Sequence, residues 1–301
     1  MNDKYDVTVL IVTYNSEYKK LQKTIDSILE QIDIYYQIVI ADDGSECDNF
    51  DLVKKYFDDR NFTDYVLVSN KDNQGTVKNI VSGLDRANGI YLKTISPGDY
   101  LDNELVLTTW INELKNSKRK WSFSNAVFYK SQNGQTFEVA GKHNPIMLSP
   151  YKRENIKECI WNYVVLGDGA LGAATLSETK VFSDYLEKIK DRVIYAEDMV
   201  FRLMMFEGIT PYYYNNKAIW YEYGDGISTN NNDKWKMRLQ NDLKETDNQI
   251  IGCLNVADNY QRKIIKELSY KEENKLKNII HNIFLHGKIK KALLARRMEC
   301  K

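Results

Sequence analysis

No apolar run in the sequence approaches the ~18–20 residues that a membrane-spanning helix needs. The first apolar stretch, Val7 to Val12, is short, with neither a basic lead nor a small-residue cleavage site, which argues against a secretory signal. The expectation is a protein that stays in the cytoplasm. The 4 cysteines (Cys47, Cys159, Cys253, Cys300) stand far apart, no Cys-x-x-Cys pair occurs, and the 3 histidines show no metal spacing. Both facts argue against a zinc site or a disulfide framework. Lys and Arg total 42, as do Asp and Glu, so there is no general nucleic-acid footprint and no nucleic-acid partner is expected. The 4 prolines, with abundant Asn, Lys, Ile and Tyr, match the drift of an AT-rich bacterial genome and carry no functional signal.

What is present fits a folded protein: 301 residues, 43% hydrophobic and 28% charged. That length accommodates one large domain, or one domain with an appendage. Charge is neutral in sum but uneven. From His286 to Lys301 there are six basic residues (Lys288, Lys290, Lys291, Arg296, Arg297, Lys301) against one acid, Glu299.

The first hundred residues alternate buried β-type runs with helical periods. Val7–Val12, Gln37–Ala41, Tyr65–Val68 and Ile90–Ile95 are apolar runs of strand length. Between them lie helical patterns through Leu21, Ile25 and Ile28, through Val53 and Phe57, and through Val77, Ile80 and Leu84. Asn15 or Ser16 is positioned to cap the first helix. Such alternation predicts βαβ units and an α/β fold with a mostly parallel open sheet and helices on both faces. Ligands bind such sheets beyond the carboxyl ends of the strands. Three polar clusters fall there: Thr13-Tyr-Asn15, Asp42-Asp43 and Ser96 to Asp99.

Farther on, Trp121–Lys130 and Pro211–Tyr223 are strand-like, residues 142 to 170 irregular, and Ala196–Phe206 helical with an acidic first turn. From about Lys234 the chain is polar and helical, with Leu276, Ile279, Ile280, Ile283 and Phe284 at helical spacing. A soft boundary is placed near residue 232. Residues 1–232 form the main domain, with a first half to about 100 and a second from 101 to 232. A helical region with a basic tail follows at 233–301.

The adjacent carboxylates Asp42 and Asp43 repel, so they need solvent, a cation or N–H donors. A nucleobase imide is one such donor; the turn that follows, with its helix cap, is another. Asp99 after Ser96-Pro97-Gly98 is placed to meet a hard divalent cation, or simply ends a Pro-Gly turn. Glu197-Asp198 at a helix start is placed either for general-base work or to stabilise that helix.

As a set, Val9-Leu-Ile-Val-Thr-Tyr-Asn15, Ser27-Ile-Leu-Glu-Gln31, Val39-Ile-Ala-Asp-Asp-Gly-Ser45, Asn73-Gln-Gly75, Ser96-Pro-Gly-Asp-Tyr-Leu101 and Glu197-Asp198 resembles the family-2 glycosyltransferases of the GT-A fold over roughly residues 6 to 230. The resemblance implies transfer of a sugar with inversion, from a nucleotide donor that is usually UDP-linked, to a glycan or lipid-linked acceptor. It implies that Thr13, Tyr14, Asn15, Glu17, Ser96 and Pro97 line the nucleotide, that Asp42 binds the base and that Lys78 lies near the diphosphate. It further implies that Asp99 ligates Mg²⁺ or Mn²⁺, that Asp198 is the base with Glu197 beside it, and that Asp168 and Asp225 face the acceptor. Two departures stand out. The usual Asp-x-Asp-Asp reads Ser96-Pro97-Gly98-Asp99, and the late segment Tyr221–Thr229 lacks its usual Arg and His. Weak metal binding, dependent on the diphosphate, is therefore expected.

A role in bacterial surface polysaccharide synthesis is the family habit. The basic tail at 286–301 is expected to touch anionic lipid at the inner face of the membrane. The alternatives are a catalytically impaired homologue that binds sugar as a partner subunit, and a sugar-1-phosphate nucleotidyltransferase. The latter needs a glycine-rich loop after the first strand, and Thr13-Tyr-Asn-Ser16 has no glycine.

Overall fold

The computed structural model describes residues 4–132, 135–139, 141–142, 144–224, 232–270, 285–287 and 289–291. In chain order the first half is β1 (Tyr5–Thr13), α1 (Tyr18–Leu29), β2 (Tyr36–Asp42), α2 (Phe50–Asp58), β3 (Tyr65–Ser69), α3 (Thr76–Leu84) and β4 (Gly89–Ile95). Then come β5 (Tyr100–Leu101), α4 (Val106–Ser117), β6 (Trp121–Gln132), β7 (Gln135–Glu138), α5 (Ser149–Lys152) and α6 (Ile156–Val164). A 3-10 turn (Gly172–Ala174) precedes β8 (Thr175–Glu178), α7 (Thr179–Ile189), α8 (Met199–Phe206) and β9 (Tyr212–Glu222). The helices α9 (Asp233–Gly252) and α10 (Asn259–Leu268) follow.

Among the described residues the strands form one sheet, ordered β3-β2-β1-β4-β8-β6-β9-β5, with β7 paired to β6. β1 is parallel to β2 and β4, and β2 to β3. The parallel core expected from the sequence is therefore present. β8 runs antiparallel to both β4 and β6, while β6 and β9 are parallel.

Alternation along each central strand feeds two helix layers. Val7, Val9, Ile11, Ile38 and Ile40 pack with Leu21, Ile25 and Ile28 of α1 and Trp110 of α4. Leu10, Val39 and Ala41 face the other way, onto a cluster with Ile80 and Leu84 of α3 and Val200 and Met204 of α8. Burying both faces is why β1 and β2 read as continuous apolar runs.

Three local expectations are corrected. α1 is capped by neither Asn15 nor Ser16. Its cap is Glu17, without a side-chain bond, while Asn15 adopts φ 48 and accepts from Glu46 N. The 142–170 stretch is not irregular throughout. Asn155 caps α6 by accepting from Glu158 N, and Cys159, Ile160, Tyr163 and Val164 share its buried face. The helix expected from 196 starts at Met199, so Glu197 and Asp198 precede it and its first turn holds no acid. The apolar period at 276–284 lies outside the described residues, as do Lys288 and residues 292–301 of the basic tail. Among the described residues no helix is long and apolar enough to cross a membrane.

Candidate active site

The carboxyl ends of β1 and β4 open onto a cleft of about 1280 Å³, which reaches across to α8 and α9. On the β1 side its lining includes Thr13, Tyr14, Asn15 and Glu17. Thr13 is buried and its carbonyl accepts from Asp43 N at 3.0 Å. Tyr14 is 50% exposed. Asn15 N donates to Ser45 Oγ at 2.6 Å, tying the β1 and β2 loops together.

Asp42 and Asp43 part company here. Asp43 lines the cleft and accepts from Gln74 N at 2.9 Å and Gly75 N at 2.8 Å. Burial raises its pKa, and those N–H groups oppose the rise. Asp42 is not among the lining residues. Its carboxylate accepts from Ser45 N at 2.8 Å and Ser45 Oγ at 2.5 Å, so the turn that follows β2 occupies it. Lys78 is exposed on α3 and is also absent from the lining; the cations that line the cleft include Lys20 and Arg238.

The Asn73-Gln-Gly75 motif has a steric reason. Gly75 sits at φ +92, and a Cβ there would lie 2.4 Å from Ile194 Cγ2 and 2.7 Å from Ile194 O. Only glycine lets the segment before Glu197 approach the start of α3 this closely.

Ser96, Pro97 and Asp99 line the floor. Their turn is docked on α1: Gly98 N donates to Thr24 Oγ1 at 3.0 Å, and Thr24 Oγ1 donates to Asp99 O at 2.7 Å. Asp99 is 4% exposed and its Oδ1 accepts from Glu222 N at 2.9 Å. Burial pushes its pKa up to about 7, against the pull of that bond and of Lys93. Lys93 is fully buried in β4 and donates to the carbonyls of Thr94 and Ala173. Burial brings its pKa down to about 7, opposed by Asp99 and Glu197. Its signal in the sequence is a lysine inside the strand-length run Ile90–Ile95.

Glu222 fills the space beside Gly98. A Cβ at Gly98, which has φ +101, would lie 2.4 Å from Glu222 Oε2, and that oxygen pairs with Lys20 Nζ at 2.7 Å. The divalent cation implied by the resemblance can be weighed against this geometry. Among the described residues no three His, Cys, Asp or Glu side chains gather to hold an ion. Asp99 and Glu222 adjoin, and one of the two is ion-paired. Such a pair fits a Mg²⁺ or Mn²⁺ that arrives on a diphosphate and keeps several waters, not one caged by protein alone.

Glu197 and Asp198 stand on the opposite wall, Asp198 as the residue before α8. Burial raises the pKa of both carboxyls. For Glu197 the neighbouring Asp198 adds to the rise and Lys93 opposes it, and for Asp198 the charge of Asp242 adds. Trp235, Arg238 and Leu243 bring α9 into the same wall. Asp168 does not line the cleft. Its carboxylate accepts from Ile146 N at 2.6 Å and Met147 N at 2.9 Å, holding the loop before α5. Asp225 lies outside the described residues.

Solved structures share this fold. S. aureus TarS 1-349 in complex with UDP-GlcNAc superposes with TM-score 0.55 at 16% identity, covering 96% of this chain and 81% of that one. The mannosyltransferase PcManGT from Pyrobaculum calidifontis, in complex with GDP-Man and Mn2+, gives 0.54 at 12% identity, covering 98% and 86%. No curated protein matches the sequence. The profile described as glycosyl transferase family 2 matches residues 8–163, more than half of the chain. With the parallel β1–β4 core and its cleft, that match establishes that the chain belongs to glycosyl transferase family 2.

Proposed function

We propose that the protein transfers a hexose or related sugar from a UDP-linked donor, with inversion, to a hydroxyl of a glycan or lipid-linked acceptor in bacterial surface polysaccharide synthesis. One observation carries the reading: a single cleft joins Thr13–Asn15 and Ser96–Asp99 to the buried carboxyls of Glu197 and Asp198. The TarS structure holding UDP-GlcNAc supports a uridine donor.

In the mechanism, Asp198 takes the proton of the acceptor hydroxyl as its oxygen attacks the anomeric carbon. The new C–O bond forms as the bond to the diphosphate oxygen breaks, and the diphosphate leaves with the electron pair. Asp198 acts mainly by position, and its raised proton affinity favours the transfer. Lys20, released from Glu222, faces the charge that gathers on the leaving group. Asp99 and Glu222 would hold Mg²⁺ or Mn²⁺, which when bound adds Lewis-acid stabilisation of the diphosphate.

The reduced Ser96-Pro97-Gly98-Asp99 motif favours a second reading, a catalytically impaired homologue that binds sugar as a partner subunit. A thermal-shift screen of UDP-, GDP- and ADP-sugars with and without Mn²⁺, followed by hydrolysis of the best binder, tests both. A ligand of the native state raises the melting temperature. UDP-sugar binding with slow hydrolysis is expected. Binding without hydrolysis supports the impaired homologue, and no binding overturns both.

A further inference from the structure

The segment that ends in the catalytic pair, residues 194–198, is held from two sides. On one side Ile194 O accepts from Val77 N at 3.0 Å, and Gly75 leaves room for Ile194. On the other stands α9, beyond the stretch that matches the family. Asp242 of α9 is 3% exposed, and its carboxylate accepts three successive backbone N–H groups: Ile194 at 3.0 Å, Tyr195 at 2.7 Å and Ala196 at 3.0 Å. A second tie lies five residues farther along α9, where Asp247 pairs with the buried Arg202 of α8 at 2.5 Å. Asp242 is thus one carboxylate saturated by the residues immediately before Glu197.

We propose that Asp242 is a positioning residue of the transfer site: from α9 it fixes residues 194–196, and with them the place of Glu197 and Asp198 in the cleft. The inference rests on Asp198 as the base. Three N–H groups converging on one buried oxygen pair define a backbone geometry that an amide cannot reproduce, because Asn offers one acceptor and turns N–H donors toward N–H donors. The carboxylate also carries charge. Lys93 of β4 acts on Glu197, Tyr163 of α6 on Asp198, Arg202 of α8 lines the same cleft, and Asp242 of α9 raises the proton affinity of both carboxyls. Removing its charge lowers that affinity, whereas moving its charge by one methylene keeps most of it.

The test compares full-length Asp242→Asn and Asp242→Glu with the parent. Three readouts are used: amide exchange at 194–196, carboxyl ¹³C titration of Glu197 and Asp198, and turnover of UDP-GlcNAc with water as acceptor. In Asp242→Asn, exchange at 194–196 should be faster by roughly 10-fold or more, since each bond to a charged acceptor is lost or weakened. Its carboxyl midpoints shift to lower pH, its turnover falls about 10–100-fold, and UDP affinity stays within about twofold. Asp242→Glu keeps the carboxyl midpoints near the parent's while exchange still quickens. Unchanged exchange and unchanged midpoints in Asp242→Asn overturn the proposal, as does an equal loss of UDP affinity. Should Asp242→Asn not fold, Asp242→Glu decides alone: parental exchange at 194–196 together with parental turnover overturns it. Asp198→Asn run in parallel separates the two claims. If that variant keeps turnover, the base assignment fails. If it loses turnover while Asp242→Asn behaves as parent, only the positioning role fails.

Discussion

On the β1–β3 side of the cleft Asp43 accepts two backbone N–H groups and Asp42 two groups of Ser45. On the β4–α8 side, among the described residues, Asp99 has one backbone donor, and Glu197 and Asp198 show only their own backbone N–H. The first pair fastens turns. The second set has fewer donors, so burial outweighs the opposing N–H groups and Lys93, and its carboxyls hold protons above the usual carboxylate range. Bond saturation, and not mere position at a strand end, separates an acid that fastens a turn from one left with few donors.

The comparison breaks most visibly through Asp43. Asp43→Ala strands two N–H groups, one of them on the buried Gly75, at a cost of about 2–4 kcal/mol. Urea unfolding of the variant against the parent measures it; a loss under ~0.5 kcal/mol would show that Asp43 is no clamp.

Asp99 should respond with the opposite sign. Its folded pKa of about 7 lies above its ordinary value of 3.8, so the folded state holds the extra proton between those values. The parent loses that contribution as pH rises through 7. Asp99→Asn should therefore match the parent in stability near pH 4 and exceed it above pH 7 by about 1–3 kcal/mol. Its UDP affinity in Mn²⁺ should fall. Thermal unfolding across pH checks the first claim; a variant less stable than the parent at pH 8 contradicts it.

Asp42 sharpens the boundary. Locked to Ser45, it should tolerate Asp42→Asn with UDP affinity changed less than about threefold, or ~0.7 kcal/mol. A tenfold loss by calorimetry would return it to the base-reading role that the sequence resemblance implies. The basic tail offers a separate test: each Lys or Arg near an anionic surface adds about 1 kcal/mol. Co-sedimentation with phosphatidylserine vesicles in low salt should weaken when the chain ends at His286, and equal binding would remove the tail as an anchor.

Much of the first half was legible because β1, β2 and β4 are buried on both faces and their helices carry one apolar stripe each. Ser96–Asp99 and Glu197–Asp198 were found as motifs and do line one cleft. What sequence spacing cannot carry is the direction a carboxylate turns. Asp42 and Asp43 are neighbours, yet one faces Ser45 and the other the α3 loop. Glu222, Lys20 and Asp242 reach the site through β9, α1 and α9, across separations that no local pattern encodes. The α6 helix lies inside the stretch that reads as irregular, and its signals there are the Asn155 cap and one short apolar face.

The central claim is that Asp198 removes the acceptor's proton while the nucleotide is held elsewhere in the cleft. Initial rates of sugar transfer by Asp198→Asn, with UDP affinity titrated in the same buffer, test it most directly. Turnover should fall by ~10²–10⁴-fold with UDP affinity within about twofold of the parent, and Glu197→Gln should lose less. Near-parental turnover in Asp198→Asn beside a large loss in Glu197→Gln would contradict the assignment.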